Sequence, residues 1–164
     1  MDFRIPFNGR PHHYTEAEID TVVKAMRGSA PLTQGERLRG FEKRFRQYAR
    51  VEHAFALSNA TAGLELIAQL CQFKRGDEVI IPAHTFTSTA YPFVKNGAKI
   101  VWSDIDLPTR VVTAKTIASC LTRNTRAIVV THLYGYGADM PAIMTLAEKH
   151  GFLVIEDAAQ ALGV

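Results

Sequence analysis

Short apolar runs alternate with helical patterns from residue 54 onward, and this alternation restricts the possible folds more than any other feature of the sequence. The predicted strands are rich in Val, Ile, Leu and Ala: residues 54–57, 78–81, 99–103, 126–131 and 152–156. Strands without polar alternation are typical of a parallel sheet that helices cover on both faces. We therefore predict an α/β fold with three layers, α/β/α, and a mostly parallel sheet.

Helical spacing of apolar residues predicts the remaining elements. The first helix should begin after Thr15, with Glu18 completing a capping box, and end near Gly28. A second amphipathic helix has large apolar side chains that we expect to lie in the core: Leu38, Phe41, Phe45 and Tyr48. Further helices are predicted at residues 64–71, 85–96, 114–121 and 139–150, and Pro92 falls near the middle of one of them.

The chain before the predicted sheet differs in character from the rest. Residues 1–14 combine aromatic side chains with prolines and a glycine, which predicts an irregular arm. Residues 29–35 predict a polar loop that Pro and Gly interrupt. We assign residues 1–35 to an arm, a helix and a loop, and residues 36–164 to the domain that contains the sheet.

Charge and cysteine content argue against several classes of protein. The net charge is only +3, and the basic residues between Arg37 and Arg50 alternate with apolar positions, so nucleic acid is not implied as a partner. No apolar stretch approaches the roughly 20 residues of a membrane span. Cys71 and Cys120 are typical of free thiols in a reducing compartment. We therefore expect a cytoplasmic protein that binds neither nucleic acid nor a membrane.

The last predicted strand ends in a carboxylate. Asp157 follows the apolar run at residues 152–155, and Gln160 comes three residues later. Open α/β sheets bind ligands at the carboxyl ends of their strands, where an acid could pair with a cationic ring nitrogen and an amide with a neighbouring oxygen. In the alternative interpretation, Asp157 only caps a following helix and Gln160 lies in solvent.

Two other turns that follow predicted strands could contact a ligand. Residues 58–63 place small and hydroxyl-bearing side chains at a helix start, where free N–H groups attract a phosphate. The turn lacks the glycine spacing of a dinucleotide site, and Ser58 or Asn59 could simply be a cap. Phe86, in the next turn, could lie flat on a planar ring or be an ordinary core residue.

His132 ends another predicted strand and could transfer a proton, although a single histidine is more often structural. The other histidines show no paired ligand spacing, so we expect no metal site. A Gly-x-Ser-x-Gly elbow is also lacking, which argues against a serine hydrolase. Together these turns offer the parts of a pyridoxal phosphate (PLP) pocket: a phosphate-binding helix start, an aromatic ring, a histidine, and an Asp with a Gln.

Several blocks of sequence resemble one family of PLP enzymes. They lie at residues 58–62, 76–82, 85–90, 132–135 and 156–160. In these blocks the chain resembles the N-terminal half of the DegT/DnrJ/EryC1/StrS family of sugar aminotransferases. The resemblance implies an incomplete large domain of PLP-transferase fold type I.

The resemblance also implies a role for each matching residue. Thr61 and Ala62 would hold the cofactor phosphate, and Phe86 would stack on the ring. Asp157 would pair with the pyridine nitrogen, and Gln160 would contact the ring hydroxyl. The family works as a homodimer on a nucleotide-linked keto-deoxysugar and an amino-acid donor, for which we expect glutamate.

The family's Schiff-base lysine has no counterpart in the sequence. We expect the lysine-bearing segment and the C-terminal small domain to be absent, and the chain to be inactive alone. Within the family, a deoxysugar dehydratase with histidine in place of the lysine is an alternative. A non-catalytic remnant or an accessory subunit is another.

Overall fold

The computed structural model describes residues 13–28, 31 and 33–164. Within these residues, one sheet contains strands β1 (Glu78–Pro82), β2 (Lys99–Ser103), β3 (Thr125–Thr131) and β4 (Leu153–Asp157). The strand order is β2-β1-β3-β4, and every neighbouring pair is parallel. The predicted parallel sheet is therefore confirmed.

Six α-helices surround or precede the sheet in the described residues: α1 (Glu16–Arg27), α2 (Glu36–Ala49), α3 (Ala60–Leu70), α4 (Tyr91–Lys95), α5 (Ala114–Ala118) and α6 (Met140–His150). Short 3-10 helices lie at Thr87–Thr89 and Leu133–Gly135. The predicted capping box at α1 is present, since the Thr15 and Glu18 side chains each accept a hydrogen bond from the other residue's backbone N–H. Local chain chemistry therefore sets where this helix begins.

Helices cover the sheet on both faces. Val79 and Ile81 of β1 pack with Leu64 of α3 and Phe93 of α4 in one apolar cluster. Ile80, the residue between them, belongs to a second cluster with members on α5 and α6. Successive side chains of a strand point to opposite faces, so both faces of β1 are apolar because both are buried. The three-layer α/β/α arrangement is confirmed.

Close contacts divide the chain into two compact units, one ending at Ala56 and one spanning Leu57–Val164. The sheet and all the strands described above belong to the second unit. Most of the expected arm at residues 1–14 lies outside the described residues, as do parts of the expected loop at residues 29–35. The assignment of residues 1–35 and 36–164 to separate parts stays a prediction.

Residues 54–57 do not form the predicted strand. The Ala56 N–H donates to the Glu42 carboxylate (3.0 Å) and not to a neighbouring strand. Phe55 is 78% exposed. A strand needs a partner's backbone groups, and an apolar run by itself does not supply them.

The large apolar side chains of α1 and α2 are not core residues in the described chain. Neither helix contains a buried residue, and Phe41 and Tyr48 are both more than half exposed. Helical spacing of apolar residues predicted the presence of α2 correctly. The prediction that its apolar side chains lie in the core was wrong for the described chain.

Residues 85–96 form two short helices instead of the single predicted one. A 3-10 helix at Thr87–Thr89 is followed by α4, and Pro92 lies in the first turn of α4. Proline has no N–H to donate, so it is tolerated in a first turn and disrupts a helix interior. The segment from Thr85 to Thr89 contacts the carboxyl ends of β3 and β4 through the Thr131 hydroxyl and the Asp157 carboxylate.

Candidate functional site

A pocket lies at the carboxyl ends of β3 and β4. Residues from four separate segments line it, among them Ala60, Phe86, Thr89, Asp157 and Gln160. His132 also lines the pocket, whereas Thr61 and Ala62 follow Ala60 in the first turn of α3 without contributing to the wall. The turn at residues 58–63 and the Asp157 carboxylate therefore lie on the same rim of the sheet.

Asp157 is the last residue of β4 and pairs in register with Thr131 of β3. Its Oδ2 atom accepts a hydrogen bond from the Thr89 hydroxyl (2.7 Å), and its Oδ1 atom accepts one from the Ala159 N–H (3.2 Å). Residues 158–164 form turns and no helix, so Asp157 is not the helix cap of the alternative interpretation. Two donors on a carboxylate at the pocket wall suit an ionised acid, which can only accept.

The start of α3 offers backbone donors to an anion. The Asn59 side chain caps the helix by accepting the Ala62 N–H (2.9 Å), and the Gly63 N–H donates to the Asn59 carbonyl (3.4 Å). Within the described part of the chain, the N–H groups of Ala60 and Thr61 have no acceptor. Asn59 therefore caps the helix without occupying every donor. The N–H of Ala62 is bonded to Asn59, and the N–H groups of Ala60 and Thr61 remain available to an anion.

Gln160 is oriented by the loop that follows β3. Its Oε1 atom accepts the Tyr134 N–H (2.9 Å), and Tyr134 has a positive φ of 56°. Because the amide oxygen is held in this way, the amide NH₂ group remains to donate to a ligand oxygen. Phe86 is 70% exposed and lines the pocket, so it is not the core residue of the alternative interpretation.

His132 is buried, and both of its ring nitrogens are engaged. Nδ1 accepts the Ala138 N–H (3.1 Å), and Nε2 lies 3.0 Å from the Glu156 carboxylate. Since Nδ1 is an acceptor, the proton of the neutral ring is on Nε2 and is donated to Glu156. This geometry favours the structural interpretation, in which His132 forms part of the pocket wall, and its role in proton transfer stays a prediction.

The sequence did not single out Thr89 or Tyr134, although both contact predicted site residues. Thr89 belongs to the run of hydroxyl-bearing residues at 85–89, and that run was the available signal. Tyr134 acts through its backbone N–H, so its side-chain chemistry gives no signal at all.

The groups present fit a phosphorylated, cationic aromatic ring. Two open N–H groups suit a phosphate, Asp157 suits a protonated ring nitrogen, Gln160 suits a ring hydroxyl and Phe86 suits the ring face. No lysine is among the described residues that line the pocket. In the same described residues, no three His, Cys, Asp or Glu side chains are grouped as metal ligands would be.

A three-layer α/β domain with this pocket has the architecture of the PLP-dependent transferases of fold type I, and aminotransferases are among the solved structures similar to it. The chain belongs to the DegT/DnrJ/EryC1/StrS aminotransferase family, whose profile matches residues 13–164. The expected fold and family are both confirmed.

Three relatives illustrate this membership. The aminotransferase from Psychrobacter cryohalolentis is 38% identical with a TM-score of 0.87, over 96% of this chain and 40% of that one. Spr1654 from Streptococcus pneumoniae, in its PLP form, is 30% identical with a TM-score of 0.85, over 98% and 44%. The pleiotropic regulatory protein of Geobacillus stearothermophilus is 37% identical over 89% of this chain and 39% of its own length. The chain thus spans about two fifths of these relatives.

None of the helices in the described residues is both long enough and apolar enough to cross a membrane.

Proposed function

We propose that this chain forms the cofactor-binding part of a PLP-dependent aminotransferase that acts on nucleotide-linked keto-deoxysugars. Glutamate is the proposed amino donor, and amino-sugar or polysaccharide biosynthesis is the proposed context. The observation that carries the proposal is the shared pocket of Asp157, Gln160, Phe86 and the start of α3. Membership of a family of sugar aminotransferases supports the substrate class.

Each residue has a defined task in this proposal. When bound, PLP supplies a protonated ring that accepts electrons from the substrate carbon. The Asp157 carboxylate accepts the ring N–H and keeps that nitrogen protonated. Gln160 donates its amide N–H to the ring hydroxyl, and Phe86 covers one face of the ring.

The phosphate would be held by the first turn of α3. The open N–H groups of Ala60 and Thr61 and the positive end of the helix dipole favour an anion there. Thr61 supplies one of these N–H donors, and its hydroxyl is the side-chain contact that we propose for the phosphate. Ala62 belongs to the same turn, but its N–H donates to Asn59, so we propose no hydrogen bond from this N–H to the phosphate.

We further propose that these 164 residues do not transaminate on their own. The described pocket wall contains no amine that could attack a carbonyl carbon, and Lys95 and Lys99 are paired with Glu65 and Glu78 instead. The active assembly that we propose is a cytoplasmic homodimer of the complete enzyme. The two unpaired cysteines, Cys71 and Cys120, support a reducing location.

Gel filtration of the purified chain with PLP tests the proposal. On a column equilibrated with PLP we expect the protein to bind PLP reversibly and to release it on dialysis, and we expect borohydride added after dialysis to leave no covalent adduct. An Asp157→Asn variant should bind PLP at least about tenfold more weakly, since one lost charged hydrogen bond corresponds to that factor.

Asp139→Asn is the matched control for this experiment. Asp139 caps α6 through its bond to the Ala142 N–H (3.2 Å), and asparagine caps a helix equally well. This variant should bind PLP like the unchanged chain. Lack of any PLP binding by the unchanged chain would refute the proposed cofactor site, and a borohydride-stable adduct would refute the proposed lack of an amine nucleophile.

A further inference from the structure

Three threonine hydroxyls connect the interior of the sheet to the Asp157 carboxylate. The Thr131 and Thr85 hydroxyl oxygens are 2.9 Å apart, and so are those of Thr85 and Thr89. The Thr89 hydroxyl is 2.7 Å from Asp157 Oδ2. Thr89 is fully buried and Thr131 nearly so. The two outer hydroxyls of the three therefore belong to buried residues, while Thr85 between Thr89 and Thr131 is half-buried.

The direction of every hydrogen bond in this chain follows from counting protons. An ionised carboxylate only accepts, so Thr89 must donate its single hydroxyl proton to Asp157. Thr89 can then only accept from Thr85, and Thr85 in turn can only accept from Thr131. All three protons therefore point toward Oδ2, and hydrogen bonds aligned in this way strengthen one another.

From this geometry we propose that Thr89, supported by Thr85 and Thr131, is a positioning residue that fixes the rotation of the Asp157 carboxylate. With Oδ2 held by Thr89 and Oδ1 by the Ala159 N–H, the carboxylate plane is set before any ligand arrives. A carboxylate held in place loses little orientational freedom when it accepts a ring N–H. Thr89 contributes to affinity for a protonated aromatic ring through its hydrogen bond to Asp157.

This inference rests on the proposed function for its ligand, but its first test requires no ligand. Crystal structures of Thr89→Val and Thr89→Ser without cofactor should differ at Asp157. Serine keeps the hydroxyl and should keep the carboxylate orientation, whereas valine has the same shape and no donor, so the carboxylate should rotate. An unchanged carboxylate in Thr89→Val would overturn the inference.

Ligand binding gives the second test. We expect Thr89→Val to weaken the binding of pyridoxamine phosphate about tenfold and Thr89→Ser to change it less than about twofold, as measured by equilibrium dialysis. The matched probe is the 1-deaza analogue, in which CH replaces the ring nitrogen. Its affinity should be the same for all three proteins, because it has no ring N–H for Asp157 to accept.

The two ligands distinguish a rotated Asp157 carboxylate from a pocket that is disrupted as a whole. A variant whose pocket has collapsed would lose both ligands equally, and that result would overturn the inference. If the unchanged chain binds neither probe, the proposed cofactor site is refuted, and the cofactor-free crystal structures alone decide the role of Thr89.

Discussion

Glu78 begins β1 at the end of the sheet opposite the pocket, and its side chain is nearly buried. It accepts hydrogen bonds from the Thr122 hydroxyl and from Lys99 Nζ, the latter at 2.9 Å. These two hydrogen bonds lower the pKa of Glu78 below its ordinary value, and the bond from Thr122 has the larger effect. The ionised form is therefore stabilised by folding.

A pH dependence of stability follows from the sign of this shift. Because the pKa is lower in the folded chain, Glu78 stabilises the fold fully above the unfolded pKa of about 4.3, and this contribution is lost as the pH falls through the folded pKa. We predict that Glu78→Gln lowers the free energy of unfolding at neutral pH by about 1–2 kcal/mol. Urea denaturation of both proteins at decreasing pH should show this difference shrinking.

Lys99→Met is the control for the charge pair. Lys99 is 70% exposed, so its loss should cost less than about 1 kcal/mol and leave the Thr122 hydrogen bond in place. A difference between Glu78→Gln and the unchanged chain that stays constant down to acid pH would contradict the prediction.

At the same scale, the site residues divide into those that a sequence can indicate and those that it cannot. Asp157 and Gln160 could be predicted because one lies at the end of an apolar strand and the other just beyond it, where α/β sheets bind ligands. The link from Thr89 to Asp157 could not, since it joins residues 68 positions apart. It depends on how the segment from Thr85 to Thr89 folds, and Pro92 changed that fold from the expected helix.

At the scale of single helices and strands, substitutions at the ends of a helix test how the sequence determines where that helix stops. Gly151 joins α6 to β4 with a φ of 73°, in the left-handed region that L side chains rarely adopt. Among the described residues, no atom beyond the chain neighbours of Gly151 lies within 4 Å of the position a Cβ would occupy, so the cost of a side chain there comes from the backbone. We predict that Gly151→Ala lowers the free energy of unfolding by about 1 kcal/mol.

Gly63→Ala is the comparison for Gly151→Ala, because it makes the same substitution inside a helix. Gly63 lies within α3, and a Cβ there would be 3.6 Å from a Leu57 methyl group, which is an ordinary contact. Alanine should therefore raise the free energy of unfolding, by about 0.5–1 kcal/mol. Changes of the same sign in the two variants, measured by urea denaturation, would contradict this account.

Elements governed by local chemistry were predicted well, and those that depend on distant partners were not. The stop of α6 at Gly151 and the capping box of α1 involve residues within one turn of each other. The run at residues 54–57 has the composition of a strand, but strand formation requires hydrogen bonds from another segment. The described chain does not supply them.

Over the whole molecule, apolar burial is concentrated in the unit that spans Leu57–Val164. Every buried apolar side chain in the described residues belongs to this unit, while α1 and α2 of the other unit contain none. Hydrophobic burial scales with the area removed from water. The stability of the folded chain should therefore depend on the sheet and its two apolar clusters much more than on the N-terminal helices.

Phe93 and Phe41 test this distribution with identical substitutions. Phe93 is completely buried in the cluster shared by α3, α4 and the sheet, whereas Phe41 is 56% exposed on α2. We predict that Phe93→Ala lowers the free energy of unfolding by about 3–5 kcal/mol, because it removes a large buried side chain and leaves a cavity. Phe41→Ala should change it by less than about 1 kcal/mol.

The single tryptophan, Trp102, lies in β2 and reports unfolding of the sheet by fluorescence, while far-UV circular dichroism follows the helices of both units. Both signals should shift to much lower urea in Phe93→Ala, because loss of the cluster unfolds the sheet and the helices packed on it. In Phe41→Ala the Trp102 transition should stay in place. A loss of several kcal/mol in Phe41→Ala would mean that the apolar face of α2 is covered in solution, and the stability of the chain would then depend on both units.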